Sequence, residues 1–108
     1  MGQLENGGPH ATVDHAVDAS GLPVITIAGE VDTSNVASVE AELERVTGSA
    51  PELLVFDLSA LEFIDSSGIA LLLRSASKVG RLELRNPSGV VQRVIEATGL
   101  SDVLRVQP

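Results

Sequence analysis

Phe63-Ile64-Asp65-Ser66-Ser67-Gly68-Ile69-Ala70-Leu71-Leu72-Leu73 joins an apolar, strand-like approach to an apolar helix through one carboxylate, two hydroxyls and a glycine. Asp and Ser are favoured where a helix begins, because a side-chain oxygen there takes up free backbone N–H groups. Ile69, Leu72, Leu73 and Ala76 recur at helical spacing, and Ala70 and Leu71 widen that face. The spacing predicts a helix over Ser66 to Lys78, with Arg74 and Lys78 favourable near its negative end and Gly80 as its stop.

Upstream, Leu53-Leu54-Val55-Phe56 is a continuous apolar run, the pattern of a central strand covered on both faces or nearly so. The segment Asp57 to Ile64 is too short for a helix and reads as a loop whose apolar residues tuck inward. Before it, Asp32-Thr33-Ser34-Asn35 offers four capping side chains ahead of Val36, Val39, Leu43 and Val46 at helical spacing, and Gly48 supplies a stop. Ala11 to Val17 and Pro23 to Gly29 read as two strands joined by an Ala-Ser-Gly turn, hence as antiparallel neighbours. Downstream, Leu82-Glu83-Leu84 is a brief strand, Asn86-Pro87-Ser88 a turn with a cap, and Val90 to Ile95 a third helix ending at Gly99. Ser101 to Leu104 reads as one further helical turn, and Met1 to His10, with three glycines and no apolar period, as a tail outside the domain.

Strands alternating with helices imply right-handed crossovers between parallel strands. The expected fold is therefore a single α/β domain over 11–108: a mostly parallel sheet of four to five strands, an antiparallel first strand, and helices packed on the sheet. In such a sheet the strand-to-helix loops share the carboxyl edge, so Asp32–Asn35, Ile64–Gly68 and Asn86–Ser88 should converge there.

Composition narrows what that edge can do. The 108 residues carry a net charge of -8, an aromatic content of 2% and no cysteine. An acidic chain without stacking platforms is a poor partner for nucleic acid, and without thiols it has neither disulfides nor cysteine-held metal. His10 and His15 have no carboxylate at regular metal spacing, so no metal site or cofactor is expected. No apolar run approaches the roughly 20 residues of a membrane span, and the N-terminus lacks a signal-peptide pattern, so a cytoplasmic, soluble protein is expected. The Glu40, Glu42 and Glu44 run reads first as a solvated helix face.

Asp65-Ser66-Ser67-Gly68 has two readings: an ordinary cap, or a modification site. One cap suffices for a helix, and a second hydroxyl remains at an edge whose free N–H groups tolerate an added anion. A phosphate there would bring about -1.5 to -2 charges and oppose any acidic or apolar partner docked beside it. GEVDTSN, LVFDLSALEFIDSSGIALLL and SGVVQRVIEATGL together resemble, in order and spacing over about residues 11 to 106, the STAS domain of bacterial anti-sigma factor antagonists. Ala70, where many members carry Gly, is a mild departure.

The resemblance implies a protein that, unphosphorylated, binds an anti-sigma factor with serine kinase activity and so releases a sigma factor. It implies that phosphorylation of Ser66, the hydroxyl directly after the motif aspartate, ends binding and that a serine phosphatase restores it. The expected partner surface is Asp32, Thr33, Asp65, Ser66, Ser67, Gly68, Ile69 and Leu72. An alternative within the fold is a STAS subunit bound constitutively to a transport ATPase, without phosphorylation. Asp57, at a strand end, could instead be the phospho-accepting aspartate of a receiver domain, but Leu82 to Asn86 lacks the lysine that reading needs. A serine nucleophile at Ser66 would need a base, and the three loops hold no histidine, so an enzyme is not expected.

Overall fold

The computed structural model describes residues 10–46, 52–99 and 105–107. Along the chain the elements are β1 (Ala11–Val17), β2 (Pro23–Val31), α1 (Val36–Val46), β3 (Leu53–Asp57), β4 (Leu61–Ile64), α2 (Ser66–Ser77), β5 (Arg81–Arg85), α3 (Gly89–Ala97) and β6 (Arg105–Gln107). The sheet order is β1-β2-β3-β5-β6, with β4 also paired to β2. β1 runs antiparallel to β2 and every other pairing is parallel, as the alternation of elements required. No helix among the described residues is long and apolar enough to cross a membrane.

Two strands depart from the expectation. The segment expected as a loop contains β4, which pairs with the far half of β2 after β3 has ended: Val24–Thr26 face β3, and Gly29–Val31 face β4. The change of neighbour falls at Gly29, whose φ is 95° and where a Cβ would lie 2.1 Å from the His10 carbonyl oxygen. Glycine here is a bulge inside β2, so the strand does not stop at Gly29 but runs on to Val31. β6 adds an edge strand beyond α3, where no strand was expected. The expected helical turn at Ser101–Leu104 and the expected tail, apart from His10, lie outside the described residues.

Alternation along the strands sorts the core. Ile25 and Ile27, Leu54 and Phe56, and Leu82 and Leu84 are two apart and therefore share one face, where they form a single buried cluster with Val39, Leu43, Ile69, Leu72, Val91 and Ile95 of the three helices. Each fully buried side chain of this size contributes roughly 1.5–3 kcal/mol. On the opposite face Val55 is fully buried beside Glu83, which sits between Arg81 (3.5 Å) and Arg85 (3.6 Å). Arg85 also reaches Asp18 of the β1–β2 turn at 3.8 Å.

Arg74 and Lys78, expected to act on the helix dipole, also tie α2 to α1. Arg74 forms a two-pronged pair with Glu40 (2.8 and 2.9 Å), and Lys78 binds Glu44 at 2.8 Å. The glutamate run is thus partly an interhelical seam rather than only a solvated face.

Candidate functional site

The site is built where β4 ends. Ile64 is the last buried residue of the strand, and Asp65 leaves it in an extended conformation, φ -107° and ψ -171°, as the N-cap of α2. One carboxylate oxygen, Oδ1, accepts from Ser67 N (2.9 Å), Gly68 N (3.2 Å) and Ser67 Oγ (2.5 Å). The Ser67 hydroxyl, then the Gly68, Ser67 and Thr33 backbone N–H groups, hold the Asp65 carboxyl below the usual carboxylate range against an opposing effect of burial. Thr33 belongs to the β2–α1 loop, and Asp65 N donates to Val31 O at 3.2 Å, so one residue fastens the two loops together.

The two serines have separate positions. Ser67 is half-buried with its hydroxyl bound to Asp65. Ser66, the first residue of α2, is exposed, and its hydroxyl has no hydrogen-bond partner among the described residues. The sequence left either Asp65 or Ser66 as the helix start; the geometry gives the cap to Asp65 alone.

Across the seam, Asp32 Oδ1 accepts from Ser34 N (2.8 Å) and Ser34 Oγ (2.6 Å), and Asn35 reaches back to Asp32 N and Glu30 O. Asp32 therefore shapes its own loop, while Thr33 is exposed beside Asp65.

Gly68, Ile69 and Leu72 are buried, the last two at 3% and 1% exposure, so they support the surface from beneath and offer no side chain to a partner. A Cβ at Gly68 would meet Ile64 Cγ1 at 2.3 Å, which is why a glycine lets α2 lie so close to β4. The third loop joins elsewhere: Ser88 and Val90 line a cleft with Ser59–Glu62, and Ser88 caps α3 at Val91 N (3.3 Å). Convergence therefore holds for the Asp32 and Asp65 loops, with Asn86–Ser88 to one side.

Sequence reasoning missed Phe63. It was expected to tuck inward, but only Leu58, Leu61 and Ile64 do so; Phe63 is 41% exposed, three residues before Ser66. Spacing by three, from Leu58 to Leu61 to Ile64, was the available signal that the residues between them face out.

Ser66 is exposed at the start of α2, and neither histidine lies in its loop: His10 precedes β1 and His15 lies within it. Among the described residues no group of three or more His, Cys, Asp or Glu could hold a metal ion.

Comparison with known proteins gives a consistent set of relatives. Residues 14–108 match the STAS domain family. The anti-sigma-F factor antagonist RsfB of Mycobacterium tuberculosis H37Rv is 31% identical over 101 residues, covering 91% of this chain and 83% of that protein. Among solved structures, an anti-sigma factor antagonist from Mycobacterium paratuberculosis superposes with a TM-score of 0.78 at 28% identity, over 94% of this chain and 86% of that one. The anti-sigma factor antagonist SpoIIAA in its unphosphorylated form superposes with a TM-score of 0.71 at 25% identity, over 90% and 89% of the two chains.

Proposed function

Because this chain belongs to the STAS family, among relatives that are anti-sigma factor antagonists, we propose that it binds an anti-sigma factor and is switched off by phosphorylation at Ser66. The observation that carries the reading is the division between the serines: Ser66 exposes an uncommitted hydroxyl, and Ser67 spends its own on the cap. The partner is an anti-sigma factor with serine kinase activity, and binding it releases a sigma factor in the bacterial cytoplasm. That kinase phosphorylates Ser66, and a separate serine phosphatase restores the unmodified form. SpoIIAA, similar in fold and known in an unphosphorylated form, supports a two-state reading.

The docking surface runs over Thr33, Ser66 and the exposed ring of Phe63, with Asp32, Asp65 and Ser67 shaping it and Gly68, Ile69 and Leu72 beneath. A phosphate on Ser66 would sit at the start of a helix, where backbone N–H groups favour an anion, so the fold would accept it. The same phosphate would stand beside Asp65 and within an interface, where desolvation and like charge oppose docking.

The test is incubation of the chain with an anti-sigma kinase from its source organism and ATP, with the phosphate mapped by mass spectrometry. Phosphate on Ser66, none on Ser66→Ala, and normal labelling of Ser67→Ala are expected. Ser66→Ala should bind the kinase like wild type, and Ser66→Asp at least about tenfold more weakly, a difference of about 1.4 kcal/mol. Phosphate on Ser67, or equal affinity of Ser66→Ala and Ser66→Asp, would defeat the reading.

A further inference from the structure

Between the start of β4 and the start of α3 lies an open cleft of about 560 Å³. One wall is the β3–β4 turn with Leu61 and Glu62, and the other is the start of α3 with Ser88, Val90 and Arg93. Val90 is 49% exposed, unlike Val91 and Ile95 of the same helix, which are fully buried. Arg93 follows Val90 by three residues and therefore shares its helix face.

The charge of this wall is unusual for the molecule. The chain carries a net charge of -8, and Arg45, Arg74, Lys78, Arg81 and Arg85 all have carboxylate partners. Arg93 is exposed and has no ion-pair partner among the described residues. A cation left unpaired on an acidic surface, one turn from an exposed aliphatic side chain, is complementary to a segment carrying a carboxylate next to an aliphatic residue. Glu62 on the opposite wall would repel the carboxylate and so direct it to the Arg93 side.

We propose that this cleft is a docking site for an acidic, aliphatic peptide segment of a partner protein, with the aliphatic side chain on Val90 and the carboxylate on Arg93. Glu62 and Ser66 are four residues apart, at most about 13 Å at the rise of an extended strand, so a partner seated over Ser66 can reach the cleft within an interface of ordinary size. The contact is separate from the Ser66 hydroxyl, and its test does not depend on any phosphorylation.

The experiment is titration of the ¹⁵N-labelled full chain with a capped Asp-Leu-Asp-Leu peptide, and separately with its Lys-Leu-Lys-Leu counterpart, followed by amide chemical shifts. The acidic peptide should move Leu61, Glu62, Gly89, Val90 and Arg93, while the basic one leaves them in place. Arg93→Glu should weaken binding at least fivefold, and Val90→Ser should weaken it as well; both residues are exposed, and each variant's amide dispersion reports that it is folded. Shifts confined to other surfaces, equal binding of both peptides, or no effect of Arg93→Glu would overturn the proposal. Cleft resonances that move with protein concentration alone would assign the cleft to a second copy of the chain and overturn it too.

Discussion

Replacing Asp65 separates the work of its shape from that of its charge. Asp65→Ala removes the acceptor for Ser67 N, Gly68 N and Ser67 Oγ and unties the Thr33 N–H of the neighbouring loop. Loss of an N-cap costs about 1 kcal/mol, up to about 2 in well-formed cases, and the link to a second loop places this one at the upper end. A loss of about 2 kcal/mol corresponds to a fall of about 8 °C or more in melting temperature for a domain of this size. Asp65→Asn keeps an acceptor oxygen and caps almost as well, so it should lose no more than about 0.5 kcal/mol at low charge contrast. The folded carboxyl lies below its ordinary value of 3.8, so any advantage of aspartate over asparagine is fully present above that value. It disappears as pH falls through the lower folded pKa. Urea and thermal unfolding of wild type, Asp65→Ala and Asp65→Asn between pH 2 and 7 measure all of this. If Asp65→Ala unfolds within about 0.5 kcal/mol of wild type, the cap does not hold the site; if Asp65→Asn is as damaging as alanine, charge rather than hydrogen bonding dominates.

Gly68→Ala should gain up to about 1 kcal/mol in helix propensity but lose about 1–3 kcal/mol to overpacking against Ile64 and Val31, for a net destabilisation seen in urea titration. Companion replacement Ile64→Val, which removes Cδ1 but keeps the nearer crowding atom Cγ1, should recover only a small part of the loss. A double-mutant cycle on Glu40 and Arg74, whose side chains are 24% and 48% exposed, should give a coupling of only about 0.5–1 kcal/mol that shrinks in high salt. Phe63→Ala should change unfolding stability by less than about 1 kcal/mol, yet weaken binding to an anti-sigma factor by about tenfold or more in calorimetry, because an exposed aromatic three residues before Ser66 has area left to bury in the complex.

The α2 start was legible because cap chemistry and apolar spacing agree over Asp65 to Ala76, and the antiparallel β1 because a short turn joins two β-branched runs. β4 was not legible: its burial runs buried, exposed, exposed, buried, so it shows no alternation, and its pairing partner, the far half of β2, lies beyond a glycine that reads as a stop. β6 has three residues and a single aliphatic one, too little pattern against the preceding helix signal. At the site, residue type nominated both serines equally. Only the backbone path, which turns Ser67 back onto Asp65 and leaves Ser66 outward, tells them apart. Burial of Ile69 and Leu72 follows from the same path: the apolar stripe of α2, read as its packed face, joins the core cluster.

This division has a consequence for how a switch at Ser66 can work. Phosphorylation of Ser67 would replace the hydroxyl proton it donates to Asp65 at 2.5 Å, trading a cap contact for repulsion between two anions. Phosphate on Ser66 leaves every acceptor contact of Asp65 in place and adds its charge at a helix start that favours it. The folded domain would then be the same in both states, and what would change is the charge presented at the start of α2, beside the Thr33 loop. A partner that must desolvate that surface would respond to such a phosphate, although the protein itself need not rearrange. The tight acceptor set of Asp65 would make such a rigid switch possible: the residue beside the Ser66 hydroxyl is anchored to four donors, three from the first turn of α2 and one from the β2–α1 loop, so the surface it frames would stay in register with or without a phosphate.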